Sequence, residues 1–440
     1  MTERSALQTA TAIRSGETTA LLECEAAIAR IDARDGPINA VVIRDFDRAR
    51  HAASEADRRL AAGDTAPLLG VPMTVKESFN VAGLPTSWGF AEHRDNIPTE
   101  DAVAVKRLKA AGAVILGKTN IPVGLADLQA NNPNYGRTRN PANLDRVPGG
   151  SSGGAAAALA AGMVPIELGS DIGGSIRVPA AFCGVWGHKT TYGMLSSKGH
   201  NFPGTNGATV AMGVIGPMAR NADDLAVQLD VLADIPLPRA PERAVGEWRI
   251  LLMTGHPLAR TSASIAGALE GLARAFAEAG ARVDRATDLL PDLEAQHRSY
   301  MHLLNIAMTR GAATADRPAP TLAEWFGLLD DQARCKRAWN RLFASYDAVI
   351  APTLGTTAFP HDDTPLAQRQ LMIDGDVTPF GVQFAFPGLA TFPMLPATSV
   401  PVGTDLDSMP IGVQVIADSY QDHTAIAVAR AAHDLVWSKP

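Results

Sequence analysis

Two glycine-rich turns stand close together in this sequence. Pro148 to Gly154 (PGGSSGG) runs into the small-residue stretch Ala155 to Ala161, and Gly169 to Arg177 (GSDIGGSIR) follows. Glycine lets the backbone take a positive φ and lets a ligand come close to the main chain, so consecutive N–H groups in such a turn can converge on an anion. A serine at the end of the turn can attack a carbonyl while those N–H groups receive the developing oxyanion, and Ser175 has that position. Three other uses of such turns compete. In most large proteins a Gly/Ser turn is only a loop. Phosphate binding lacks its spacing: there is no Walker A pattern, and Ser151 stands where GxGxxG requires its second glycine after Gly149. The nucleophile elbow GxSxG matches around Ser151 and around Ser152, but an elbow follows a strand, and Arg137 to Val147 (RTRNPANLDRV) reads as a polar loop.

The elements that must position these turns alternate. Ser5 to Ala33 and Asp47 to Ala62 mix Ala, Leu and Ile with Arg and Glu in a helical pattern, and Pro67 to Val75 (PLLGVPMTV) reads as a buried strand or its approach. A helix over Asp101 to Ala111 leads into a strand at Ala113 to Leu116. Ile265, Leu269, Leu272 and Phe276 share one helix face behind a strand at Trp248 to Met253. Thr321 and Glu324 have capping-box spacing ahead of a helix to about Ser345, then a strand at Asp347 to Ala351, and a helix from Asp422 to Trp437 closes the chain. Strands alternating with helices of this length predict the α/β class. Ile235 to Arg243, rich in Pro and Arg, reads as a linker between halves of one body.

Composition narrows the function. The chain has 440 residues, 46% hydrophobic and 19% charged, and 39 Lys plus Arg against 46 Asp plus Glu give a net charge of −7. That is the make-up of a globular enzyme with a large core, and an acidic balance argues against non-specific binding to nucleic acid or an anionic membrane. Cys24, Cys183 and Cys335 are too few and too scattered for a disulfide framework, and no CxxC pair suggests zinc, so a reducing, cytoplasmic location is expected. Met1 to Ala12 has no apolar region like that of a secretory signal. The charge-free stretch between Asp376 and Asp405 is interrupted by Pro379, Pro387, Pro393, Pro396 and Pro401, which predicts buried strands and turns rather than a membrane span.

The sequence resembles the amidase signature hydrolases, whose mark is a Gly/Ser-rich segment with a Ser-cisSer-Lys triad. Gly149 to Gly154 (GGSSGG), the 24-position step from Ser151 to Ser175 and Asp171 to Arg177 (DIGGSIR) carry the resemblance. Gly70 to Lys76 (GVPMTVK), Gly117 to Pro122 (GKTNIP), Tyr135 to Pro141 (YGRTRNP), Gly216 to Arg220 (GPMAR) and Pro410 to Gln414 (PIGVQ) extend it in family order. Only 235–346 and 355–376 look individual. The resemblance implies a single amidase domain over 1–440, with a helical segment at 1–62 and a variable, mainly helical region at 235–346. Its fold would be a central mixed β-sheet covered by helices on both faces.

Carried over residue by residue, the resemblance makes Ser175 the nucleophile, Ser151 the bridging serine after a cis Gly150–Ser151 bond, and Lys76 the base. The N–H groups of Ile172, Gly173, Gly174 and Ser175 would form the oxyanion hole, with Ser152, Asp171 and Arg177 in support. A free lysine titrates near about 10.4, and lowering that to ~8 takes roughly 3 kcal/mol of preferential destabilisation of the ammonium, which burial can supply. The apolar run Val71 to Val75 before Lys76 makes an approach from the core plausible, against the alternative of a surface lysine at a strand end. No metal or organic cofactor is implied. The competing Ser-His-Asp arrangement has His188 nearest to Ser175 in sequence. The family match gives His188, in GVWGHKTT, no catalytic role, so a structural one is expected, whereas His200, in a Gly/Pro loop, is placed to border the substrate pocket.

The implied substrates are small amides, anilides or carbamates, with no nucleic-acid or membrane partner and a monomer or homodimer as the working unit. Pocket walls by position would be Leu125, Leu128, Gln129, Tyr135, the His200 loop and part of Ala307 to Leu329. Leu125, Leu128 and Phe326 favour an apolar or aromatic group. Val123 and Gly124 depart from the acidic residue many members carry there. The alternatives are the glutamine-hydrolysing subunit of a tRNA-dependent amidotransferase and a catalytically silent binding protein on the same fold. Retention of Lys76, Ser151 and Ser175 together weighs against the latter.

Overall fold

The computed structural model describes residues 3–205, 208–314 and 317–437. Its framework is an eleven-stranded sheet. From edge to edge the strands are Val41–Arg44, Val114–Thr119, Pro72–Lys76, Ile166–Asp171, Val214–Ala219, Trp186–Lys189, Ala397–Thr404, Pro410–Ile416, Ala348–Pro352, Arg249–Leu252 and Arg282–Asp284. The sheet is mixed. Pro72–Lys76 runs parallel to both of its neighbours, whereas Ile166–Asp171 pairs antiparallel with Val214–Ala219.

Alternation along the strands sends side chains to two covered faces. Met73, Val75, Ile166 and Leu168 join one core with the helices Val103–Ala110, Ala222–Leu232, Ala263–Glu278 and Asp422–Trp437. The opposite face is covered by Ala20–Arg34, Phe46–Ala61, Gly153–Ala160 and Arg177–Cys183, and further along by Leu293–Thr309, Leu322–Phe343 and Ala385–Thr391. Strands from before and after 235–243 enter this one sheet, and that segment itself has neither helix nor strand.

Local chemistry explains where the elements depart from expectation. The first helical stretch is two helices, Ala6–Arg14 and Ala20–Arg34: Gly16 takes φ +76° after the first, and the Thr19 hydroxyl accepts the Leu22 N–H to start the second. Thr321 and Glu324 do form a capping box. The charge-free stretch contains a short helix, Ala385–Thr391, where strands and turns were expected. Pro387 lies in its first turn, where no intrahelical N–H bond is lost. No helix among the described residues is long and apolar enough to cross a membrane.

Candidate active site

Strand Pro72–Lys76 ends in a fully buried lysine. Lys76 Nζ lies 2.6 Å from Ser151 Oγ, 2.9 Å from Ser170 Oγ and 3.4 Å from the Ser170 carbonyl. Lys118 and Lys189 are buried as completely, but they are held differently. Lys118 donates to Pro85 O and Thr86 Oγ1, and Lys189 to Leu395 O and Thr190 O, with no serine involved. Burial draws Lys76 down to about 7, opposed by the charges of Asp171 and Glu167, so near neutral pH a large share of it carries a free lone pair.

Ser151 follows a cis Gly150–Ser151 peptide bond, as the resemblance implied. The glycines around it mostly serve close approach of the chain to itself. A Cβ on Gly150 would lie 2.2 Å from Gln129 O, and one on Gly154 would lie 2.3 Å from Asn120 N, so only glycine lets this loop and the alanine-rich helix Gly153–Ala160 nest against the neighbouring backbone. Ser152 ties the two glycine turns together: its N–H donates to Ser175 O at 3.0 Å, and its hydroxyl is within 3.4 Å of Ser170 O and N.

Ser175 stands on the turn between strand Ile166–Asp171 and helix Arg177–Cys183, the strand–turn–helix context that the GxSxG matches lack. Asp171 builds that turn. Its carboxylate accepts the N–H groups of Gly174, Ile176 and Arg177 and two guanidinium nitrogens of Arg177, at 2.9–3.3 Å. Arg177 reaches on to Gln414, Pro387 O and Thr391. Burial pushes the Asp171 carboxyl up, but the Arg177 charge and hydrogen bonds more than offset this and hold it at about 2. This bears on the four N–H groups expected to face an oxyanion. The Gly174 N–H is spent on Asp171, while those of Ile172, Gly173 and Ser175 have no hydrogen-bond partner among the described residues. Tyr300 OH donates to Ile172 O at 2.8 Å and fixes the other side of the turn.

Two cavities meet at Ser175. One, of about 500 Å³ including solvent at its mouth, is lined by Ser151, Ser170 and Ser175 and by Trp88, Leu125, His200, Phe202, Val210, Ile215 and Met308. The other, about 1150 Å³, shares Leu125, Ile172, Ser175 and Met308 and adds Leu128, Met301, Leu304 and Phe384. His200 Nε2 is 2.9 Å from Ser78 Oγ, and its ring packs on Phe79 and Trp88. Burial, then the neighbouring Lys76, depresses its pKa to about 3, which keeps it neutral.

Several expected wall residues are elsewhere. Gln129 is buried against the Asp362 main chain, because its side-chain amide is spent on that carbonyl and N–H. Tyr135 turns its hydroxyl to Glu77, and Phe326 is 62% exposed on Leu322–Phe343, pointing away from any core. Within Ala307 to Leu329, Met308 lines both cavities. His188 is fully buried between Thr398 Oγ1 at 2.8 Å and Asp422 at 3.0 Å, with no serine as partner. Sequence reasoning missed Ser170, inside the quoted GSDIGGSIR, and Trp88, while Phe202 belongs to the His200 loop expected at the pocket.

The amidase family model matches residues 24–319 and 304–426. The chain therefore belongs to the amidase family, the amidase signature hydrolases. It is 34% identical over 477 residues to a glutamyl-tRNA(Gln) amidotransferase subunit of Roseiflexus sp. (strain RS-1), covering 96% of this chain and 94% of the relative. It is also 34% identical over 463 residues to AtzE, the 1-carboxybiuret hydrolase subunit of Pseudomonas sp. (strain ADP), covering 96% of both. A solved structure of an s-triazine catabolic enzyme, described as a vestigial protein complex with inhibitor bound, superposes with a TM-score of 0.82 at 30% identity, over 99% of this chain and 98% of that one.

Proposed function

We propose that the protein cleaves the C–N bond of uncharged amides, anilides or carbamates through an acyl-enzyme on Ser175. The supporting observation is the 2.6 Å approach of a buried Lys76 Nζ to Ser151 Oγ at the floor of the cavity that also exposes Ser175. In this reading neutral Lys76 accepts the Ser151 proton as Ser151 accepts that of Ser175, and the Ser175 oxygen attacks the carbonyl. The tetrahedral oxygen is received by the free N–H groups of Ile172, Gly173 and Ser175. The relay then returns the proton to the leaving nitrogen, and water releases the acyl group. Asp171 and Arg177 hold the turn, and Ser152 joins it to the bridging serine. Leu125, Leu128 and His200 are substrate-wall residues in this reading.

The walls of the smaller cavity favour an uncharged group, whereas the larger one is also lined by Arg317 and by Asp127, the latter paired with Arg369. Among the described residues lining the cavity over Ser151, Asp171 is the one charged side chain, and it is committed to Arg177. An amino-acid head group would leave its ammonium and carboxylate without partners there, at a cost of several kcal/mol. Glutamine hydrolysis within a larger assembly is the second reading, favoured by the full-length likeness to an amidotransferase subunit. Purified chain is incubated with glutamine, aliphatic amides, anilides and carbamates, beside Ser175→Ala. The proposal expects turnover of an anilide or carbamate by the chain alone and none in the variant. Turnover of glutamine only, or full activity in Ser175→Ala, overturns it.

A further inference from the structure

The strand that leads to Ser175 carries a carboxyl which the relay does not use. Glu167 is fully buried on Ile166–Asp171, and its Cα pairs with Thr74, two positions before Lys76 on the adjacent parallel strand. Alternation along the paired strands turns Thr74, Lys76 and Glu167 to the same face of the sheet. Among the described residues Glu167 has hydrogen bonds but no ion-pair partner: Oε1 accepts from Thr74 Oγ1 at 2.6 Å and Oε2 from the Leu168 N–H at 2.9 Å. Gln228 donates to the Glu167 carbonyl at 2.7 Å, yet Gln228 Oε1 is buried with no donor among the described residues. A buried carboxylate without a cation in contact is costly, whereas a carboxylic acid is not.

The surrounding charges are otherwise committed. Asp171 is paired with Arg177, and Lys118, on the far side of Pro72–Lys76, is bonded to Pro85 O and Thr86. Lys189 is held by Leu395 O, and Asp224, on the helix that carries Gln228, accepts the N–H groups of Ala6 and Leu7. His200 is neutral. Helix Gly153–Ala160 and strand Val214–Ala219 bring no ionisable side chain. Burial pushes Glu167 up to about 7, against its hydrogen bonds and the charge of Lys76, while the charge of Glu167 in turn favours the Lys76 ammonium.

We propose that Glu167 is a positioning residue for the proton on Lys76: ionised, it stabilises the ammonium and withholds the base; protonated, it frees the amine to accept from Ser151. This rests on Lys76 being the base of the relay. The sign follows directly. Removing the carboxylate lowers the affinity of Lys76 for its proton, so the amine is free at lower pH.

The test is an NMR titration of isotope-labelled lysine, with the Lys76 signal assigned by its loss in Lys76→Met, run on the wild type, Glu167→Gln and Thr74→Val, beside pH–rate profiles. In Glu167→Gln the Lys76 midpoint should fall by about one pH unit, and the rising limb of the rate should move with it. Thr74→Val removes a donor to the carboxylate and so favours the acid, which should give a smaller shift in the same direction. An unmoved Lys76 midpoint in either folded variant overturns the proposal. A midpoint that moves while the rate profile stays put upholds the coupling and instead overturns Lys76 as the base.

Discussion

Asp171→Asn tests how the Ser175 turn is built. The carboxylate receives five hydrogen-bond donors, three from the main chain and two from Arg177. An amide of the same shape keeps one acceptor oxygen and places an NH₂ group where the other was, facing donors. Arg177, itself fully buried, is left as a cation without a counterion. Breaking a buried pair by removing one partner costs about 3–5 kcal/mol. Linkage gives the part that depends on pH. A carboxyl that titrates at 3.8 in the unfolded chain and about 2 in the fold contributes about 2 kcal/mol. Because the folded value is depressed, that contribution is complete above about pH 4 and is lost as the pH falls through about 2. The rest of the cost is the stranded guanidinium. Urea unfolding at neutral pH should show the variant less stable by about 3 kcal/mol or more, and this difference should narrow as both proteins are taken down in pH. A loss below about 1 kcal/mol, or a difference that widens in acid, would refute the account of the turn.

Other expectations concern the site directly. If the neutral form of Lys76 is the base, the rate should rise with pH through about 7 and level off above that range. A profile without that rising limb would remove lysine from the role. Lys76→Ala should lose most of the rate and Ser151→Ala a comparable or somewhat smaller share, measured as kcat on the best substrate. Ser170→Ala deletes an oxygen 2.9 Å from Lys76 Nζ, and the loss of one such hydrogen bond, about 1 kcal/mol, should lower kcat roughly fivefold. Trp88→Ala removes the indole that packs on His200 and Phe202, and it should raise KM for aryl substrates more than it lowers kcat.

Much of this arrangement was legible in the sequence where local chemistry dictates it. The capping box at Thr321, the one-faced helix around Leu269 and the terminal helix Asp422–Trp437 follow from side-chain spacing alone. The two glycine turns were also visible, but for a mixed reason. Gly149 and Gly174 do take positive φ, at 81° and 95°, whereas Gly150 and Gly154 are required by backbone packed against backbone, which no sequence pattern reveals. The strand before Ser175, IELGSD, was not read as one because Gly and Ser dilute it. Its burial comes from the strands on either side. Wall residues were the weakest part. Gln129 and Tyr135 lie near the right segment, but each spends its polar group on a distant partner; Phe202 comes from the expected His200 loop, whereas Trp88 arrives from a loop whose path depends on long-range contacts.

In the proposed mechanism an acyl group rests on Ser175 during turnover. Rapid quenching of the reaction with an aryl amide or carbamate, followed by peptide mass mapping, reads this directly. An acyl adduct is expected on the peptide containing Ser175, and it should disappear in Ser175→Ala. Steady turnover with no adduct, or an adduct that maps to Ser151 in the wild type, would contradict that mechanism.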